Sequence, residues 1–216
     1  MHKQALIIWG GWEGHQPEQM AGLFRDMLVA EGFDVEATDS YAVLADPERL
    51  HAFDLIVPCI TMGEVRDEWV DNVVDAVAAG TGIAGCHGGM ADTFRSHTNW
   101  QMMVGGQFVG HPGNIIDYPV YIRNHSSELV SGLGDFTVRS EQYYMHVDPS
   151  NDVLAVTAFP IADGHHTVNG YFEMPVAWTR QWGAGRVYYN ALGHEPADLT
   201  GTAGEMVRRG FLWAAR

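Results

Sequence analysis

The chain has 216 residues, 46% of them apolar and 18% charged, which is enough to fill one folded core and too apolar for a disordered segment. Acidic side chains outnumber basic ones 27 to 12, a formal charge of −15. Such a surface repels phosphate backbones and anionic lipid and argues against nucleic-acid or membrane partners.

The two cysteines, Cys59 and Cys86, are too few for a disulfide framework, and both fall in apolar runs that suit packed, reduced thiols. No secretory signal is visible: the apolar run Ala5–Trp9 ends at Gly10-Gly11, far short of a membrane span. The expected compartment is the cytoplasm.

Ala5–Trp9 has the continuous apolar character of a strand covered on both faces. Pro17 opens a helix in which Met20, Leu23, Phe24, Met27 and Leu28 share one face, and Glu31-Gly32 ends it. Asp34–Thr38 and Asp54–Ile60 are the next two expected strands. Trp69, Val70, Val73, Val74 and Val77 mark a second amphipathic helix, closed by Gly80, and Gly82–Cys86 follows as a fourth strand. This repetition predicts a mostly parallel sheet with right-handed crossovers and helices on both faces.

The second half is less regular and predicts a β-rich elaboration. Gly105-Gly106, His111-Pro112-Gly113 and Asp148-Pro149-Ser150 are read as loops. Tyr118–Ile122, Val153–Phe159, Val176–Gln181 and Arg186–Ala191 are strand candidates, the last two joined by a glycine-bearing hairpin turn at Trp182–Gly185. Glu205–Ala215 reads as a closing helix. With no repeat, linker or low-complexity tract, residues 1–216 form one expected domain.

Ligands of a parallel α/β sheet bind beyond the carboxyl ends of its strands. The unusual polar residues fall there: Gly10–His15 after the first strand, Thr61–Glu64 after the third, Gly85–Asp92 after the fourth and Gly193–Pro196 after the last. Gly85-Cys86-His87-Gly88-Gly89 has the spacing of a nucleophile elbow with histidine in the exposed position. Cys86 is expected to point into the fold, which disfavours glutamine hydrolysis through a cysteine. Two further stretches carry titratable groups: Gly105–Gly113, with Gln107 and His111, and Ser140–Asp148, with Glu141, Tyr143, Tyr144 and His146. Asp92, Arg95 and His97 follow the elbow, whereas His2, His51, His125, His165 and His166 suit a solvated surface.

These stretches resemble the ThuA-like trehalose-utilisation family. The resemblance runs through Gly85–Gly89, Gly105–Gly113, Arg139–Pro149, Gly185–His194 and the opening Gly10–His15, so it spans nearly the whole chain. It implies a flavodoxin-like, class I glutamine-amidotransferase-like fold without that enzyme's cysteine, with His194 where such an enzyme keeps its catalytic histidine. It also implies a setting in bacterial sugar catabolism beside an NAD-dependent oxidoreductase that makes 3-keto sugars.

The leading expectation is an enzyme acting on a disaccharide or its 3-keto derivative, by glycosidic cleavage or isomerisation. A 3-keto group acidifies the neighbouring C–H, so a base and an acid are needed, together with a group that stabilises the enediolate. His87 and Glu141, in either order, are the candidate base and acid; His146, His194 or a metal would stabilise the oxyanion, and Asp92 is a further catalytic candidate. Trp12, His15, Gln107 and Tyr144 are candidate substrate-binding residues, and Trp100 and Trp178 are other candidate sugar platforms. Zinc or manganese on His87, His111, His146 and His194 suits this chemistry, although no His-x-x-x-His pair is present. No nucleotide cofactor is expected, and a homo-oligomer is. The alternative is a non-catalytic sugar-binding or assembly subunit on the same fold.

Overall fold

The computed structural model describes residues 2–216. The first half alternates strand and helix: β1 (Gln4–Gly11), α1 (Pro17–Ala30), β2 (Asp34–Thr38), α2 (Pro47–Ala52), β3 (Leu55–Thr61), α3 (Asp67–Ala78) and β4 (Gly82–Cys86). Two short helices follow, α4 (Gly88–Ala91) and α5 (Thr98–Val104). The second half contributes β5 (Gly106–Gly110), β6 (Ile115–Ile122), β7 (Phe136–Glu141), β8 (Tyr144–Val147), β9 (Asp152–Phe159), β10 (Phe172–Trp182), β11 (Gly185–Asn190) and the closing helix α6 (Gly201–Ala214).

Local chemistry accounts for several of these boundaries. Pro17 and Pro47 start α1 and α2 at positions where the missing N–H costs nothing. The Asp46 carboxylate accepts the Arg49 N–H at 3.1 Å and caps α2. Every residue of β3 is buried, as its unbroken apolar run requires for a strand covered on both sides.

Nine strands form one sheet in the order β2-β1-β3-β4-β11-β10-β9-β6-β7, and β5 pairs with β8 in a separate ribbon. The strands from β2 to β11 run parallel, while β10, β9, β6 and β7 pair antiparallel. The expectation of a mostly parallel sheet is corrected to a mixed one. The hairpin between β10 and β11 reverses the chain direction, and no crossover helix lies between β6 and β7 or between β9 and β10, so antiparallel pairing is the geometry open to them.

Adjacent tyrosines show how both faces are covered. The Tyr188 ring meets α6, donating its hydroxyl to the Met206 carbonyl at 2.9 Å. The neighbouring Tyr189 points to the other face, against Trp178, whose indole donates to the Val104 carbonyl of α5. α1 joins α6 through Phe24 and Phe211, 4.9 Å between ring centroids, while α3 packs with α2 and α5. No helix among the described residues is long and apolar enough to cross a membrane.

Candidate functional site

Four chain segments meet at the carboxyl ends of the parallel strands, and the antiparallel half brings Glu141 to them from the end of β7. The carboxylate lies 3.0 Å from His87 Nε2, 3.4 Å from His194 Nδ1 and 3.7 Å from His15 Nε2, all measured to Oε2. His111 Nε2 approaches the other oxygen, Oε1, at 3.6 Å. The facing ligand atoms of His15, His87, Glu141 and His194 all lie within 4.8 Å of one another.

Backbone geometry fixes the innermost imidazole. His87 has φ +51° and ψ −142°, a strained conformation for a residue with a side chain, at the turn from β4 into α4. Its N–H donates to the Asn190 carbonyl of β11 at 2.7 Å, and its Nδ1 meets the Ala191 carbonyl at 2.8 Å. The ring stacks on Tyr143, 3.8 Å between centroids, and is almost fully buried. Gly88 leaves room for the second imidazole: a Cβ there would stand 2.7 Å from His15 Cε1. His15 is held in turn by Thr61 Oγ1, 2.7 Å from its Nδ1. Gly11, at φ +80°, lets the chain pass so close to β3 that a Cβ would meet the Thr61 carbonyl at 2.0 Å.

Burial pushes the His87 imidazole down to about 4, against the opposing pull of Glu141. Burial alone would push the Glu141 carboxyl up, but its contacts with His15, His194 and His87 prevail and hold it well below the carboxylate range. Contact with Glu141 raises His194. The site thus pairs a firmly ionised carboxylate with a buried neutral ring.

A cleft of about 410 Å³ opens above the carboxylate, lined by Trp12, His15, Thr61, Met62, Asp92, Arg95, Phe108, His111, Glu141 and Tyr143. Its volume lies in the range of small-molecule sites. Trp12 and Met62 are exposed on the rim, and the Arg95 guanidinium, 5.8 Å from the Phe108 ring centroid, pairs with Asp92. Burial raises the Asp92 carboxyl despite that partner.

The structure therefore brings together His87, Glu141, His194 and His15, with His111, Asp92 and Trp12 around them. Three residues that the sequence assigns to the site lie elsewhere when the strands are traced, because residues alternate sides along a ribbon. His146 is exposed and pairs across the β5–β8 ribbon with Gln107, on the face opposite Phe108 and Met145. Tyr144 packs against Phe159 and Phe172. His146 leaves the catalytic and ligand sets, and Gln107 and Tyr144 leave the substrate-binding set. Trp100 and Trp178 are core residues, 2% and 0% exposed, and cannot serve as platforms. His87 is too deeply covered to touch a substrate, so its place is beneath Glu141. The cleft also takes in Arg95 and Tyr143, from stretches whose titratable residues the sequence marks, and Phe108, which it does not. Phe108 sits beside Gln107, and position alone does not single it out. Cys59 and Cys86 are buried, and burial raises both thiols, which leaves neither as a ready nucleophile.

Comparison with known proteins agrees with this architecture. Residues 4–214 match the family model described as ThuA, trehalose utilisation. A ThuA-like protein of Bacteroides uniformis superposes with a TM-score of 0.80 at 18% identity, covering 98% of this chain and 91% of that one. A second, from Parabacteroides merdae, gives 0.75 at 17% identity over 99% and 90%. A protein of Salmonella typhimurium described as cytoplasmic gives 0.68 at 12% identity over 98% and 97%. No curated protein matches the chain significantly. With nearly its whole length matched, the chain belongs to the ThuA trehalose-utilisation family.

Proposed function

We propose that this chain is a cytoplasmic enzyme of sugar catabolism that cleaves a 3-keto disaccharide by acid–base catalysis in the cleft above Glu141. The observation that carries the reading is the convergence of imidazoles and carboxylates from both halves of the sheet on one pocket of sugar size. The family's link to trehalose use supports the substrate class, and an NAD-dependent oxidoreductase would supply the 3-keto group. The parallel order β2-β1-β3-β4-β11 and the strained turn at His87 support a flavodoxin-like, class I glutamine-amidotransferase-like fold.

The chemistry follows from the ketone. A base removes the proton from C2, next to the C3 carbonyl, and the electron pair passes into the carbonyl as an enediolate. As the carbonyl reforms, the C1–O glycosidic bond breaks and the leaving oxygen takes a proton from an acid. Water then adds to C1 of the unsaturated product while C2 regains a proton, so one water is consumed and two sugars result. Asp92 and His111 both line the cleft and are the groups assigned to these proton transfers. Trp12 and Phe108 offer aromatic faces to a sugar ring.

Turnover of 3-keto-trehalose, followed as release of free glucose, tests this reading. Removing a positioned acid or base costs about 10²- to 10⁴-fold, so Asp92→Asn is expected to lose activity on that scale while remaining folded. No glucose release by the wild-type protein from the keto sugar or from trehalose, with tight binding of either, would favour the non-catalytic binding subunit instead.

A further inference from the structure

We propose that His15, His87, His194 and Glu141 hold a divalent first-row transition metal, zinc or manganese, with a coordination position open to the cleft. Spacing comes first. Ligands at about 2.1 Å around a five-coordinate ion, four from the protein and one position open, stand roughly 3.0 to 3.6 Å apart along an edge. The three nitrogens lie 3.0, 3.4 and 3.7 Å from the same carboxylate oxygen, close to that edge length.

The second argument is where the ring protons sit. A carbonyl oxygen only accepts, so His87 Nδ1, 2.8 Å from the Ala191 carbonyl, carries the hydrogen. The neutral ring then turns a lone pair on Nε2 toward a carboxylate oxygen that has only lone pairs to offer. His15 is anchored through its Nδ1 too, 2.7 Å from Thr61 Oγ1, a hydroxyl able to give or take the hydrogen. Anchoring the far nitrogen to a polar group is the usual outer support of a metal-bound imidazole. His194 Nδ1 is buried and has no hydrogen-bond partner, although it faces the cluster.

Protons alone satisfy this arrangement poorly. His87, whose Nδ1 already donates to a carbonyl, would have to become imidazolium to donate to Glu141 although it is almost fully buried, and burying a charge is costly. One divalent cation satisfies all four lone pairs. The donor set of three imidazoles and a carboxylate suits zinc or manganese and not calcium or magnesium, which take oxygen ligands. Glu141 and His15 also line the cleft, so the ion would meet a substrate oxygen there.

The test is metal content and thermal unfolding of tag-free protein after chelation and reloading with ZnCl₂ or MnCl₂, with no substrate present. The wild-type protein is expected to take up one ion per chain and to unfold at a higher temperature when loaded. His194→Ala and Glu141→Gln are expected to weaken binding by about 10- to 100-fold or more, a range seen even for outer supports, while the control His146→Ala binds like wild type. No uptake by folded wild-type protein overturns the proposal, as does uptake that His146→Ala loses and both cluster variants keep. Failure of metal binding would leave the acid–base reading standing, because Asp92 and His111 lie outside the ligand set.

Discussion

Burial pushes the Glu141 carboxyl up, and contacts with three imidazoles from separate parts of the chain pull it down. Its neighbours are placed by close contacts, so the site is sensitive to very small additions. Gly88→Ala puts a methyl group 2.7 Å from His15 Cε1 and pushes that ring off Thr61. We expect a stability cost of about 1–3 kcal/mol, as for other overpacked sites, measured by urea unfolding, with a loss of keto-sugar turnover larger than that cost explains. Unchanged turnover would mean that the position of His15 does not matter. At this scale the sequence is readable where a glycine stands beside a polar residue after a strand, as at His87 and His194. It is not readable at His146. β7 ends at Glu141 and β8 begins at Tyr144, so the alternation of sides restarts between them, and proximity in sequence to Glu141 does not carry over into space.

Among the elements, the strands and helices of the first half are legible because continuous apolar runs and helical spacing are strong signals of burial. β5, β7 and β8 are not. β5 is glycine-bounded and half-exposed, and β8 has four residues, so neither presents a full apolar face. Periodicity starts the closing helix at Glu205, whereas α6 begins at Gly201, since its first turn lacks an apolar pattern. Its outer face carries a measurable ion-pair network: Glu205 meets Arg208 and Arg209 at 2.8 and 2.6 Å. Contacts with Arg208 and then Arg209 lower the Glu205 carboxyl from 4.5 to about 2. A depressed carboxyl contributes stability above its unfolded pKa and loses it as pH falls through the folded one. The network is partly solvated, so its contribution is at most about 1 kcal/mol. Glu205→Gln is expected to be slightly less stable than wild type at pH 7, and the gap should close between pH 4.5 and about 2. A gap that does not change with pH would show that packing, not charge, sets the effect.

Across the whole molecule, the site lies at the seam between two kinds of sheet. The parallel half supplies His15, His87, Asp92 and, after β11, His194; the antiparallel half and its ribbon supply Glu141, Phe108 and His111. Neither half alone completes the cleft: strand ends point to the rim of the parallel sheet, and the titratable stretch Ser140–Asp148 points to Glu141 at its centre. The strongly negative charge repels the phosphate backbones of nucleic acids. The most direct test of a sugar site at this seam is a crystal structure of the protein soaked with 3-keto-trehalose. We predict sugar density between Trp12 and Phe108 with its oxygens toward Glu141, His15 and His111. Sugar bound at another surface, with this cleft holding only solvent, would contradict it.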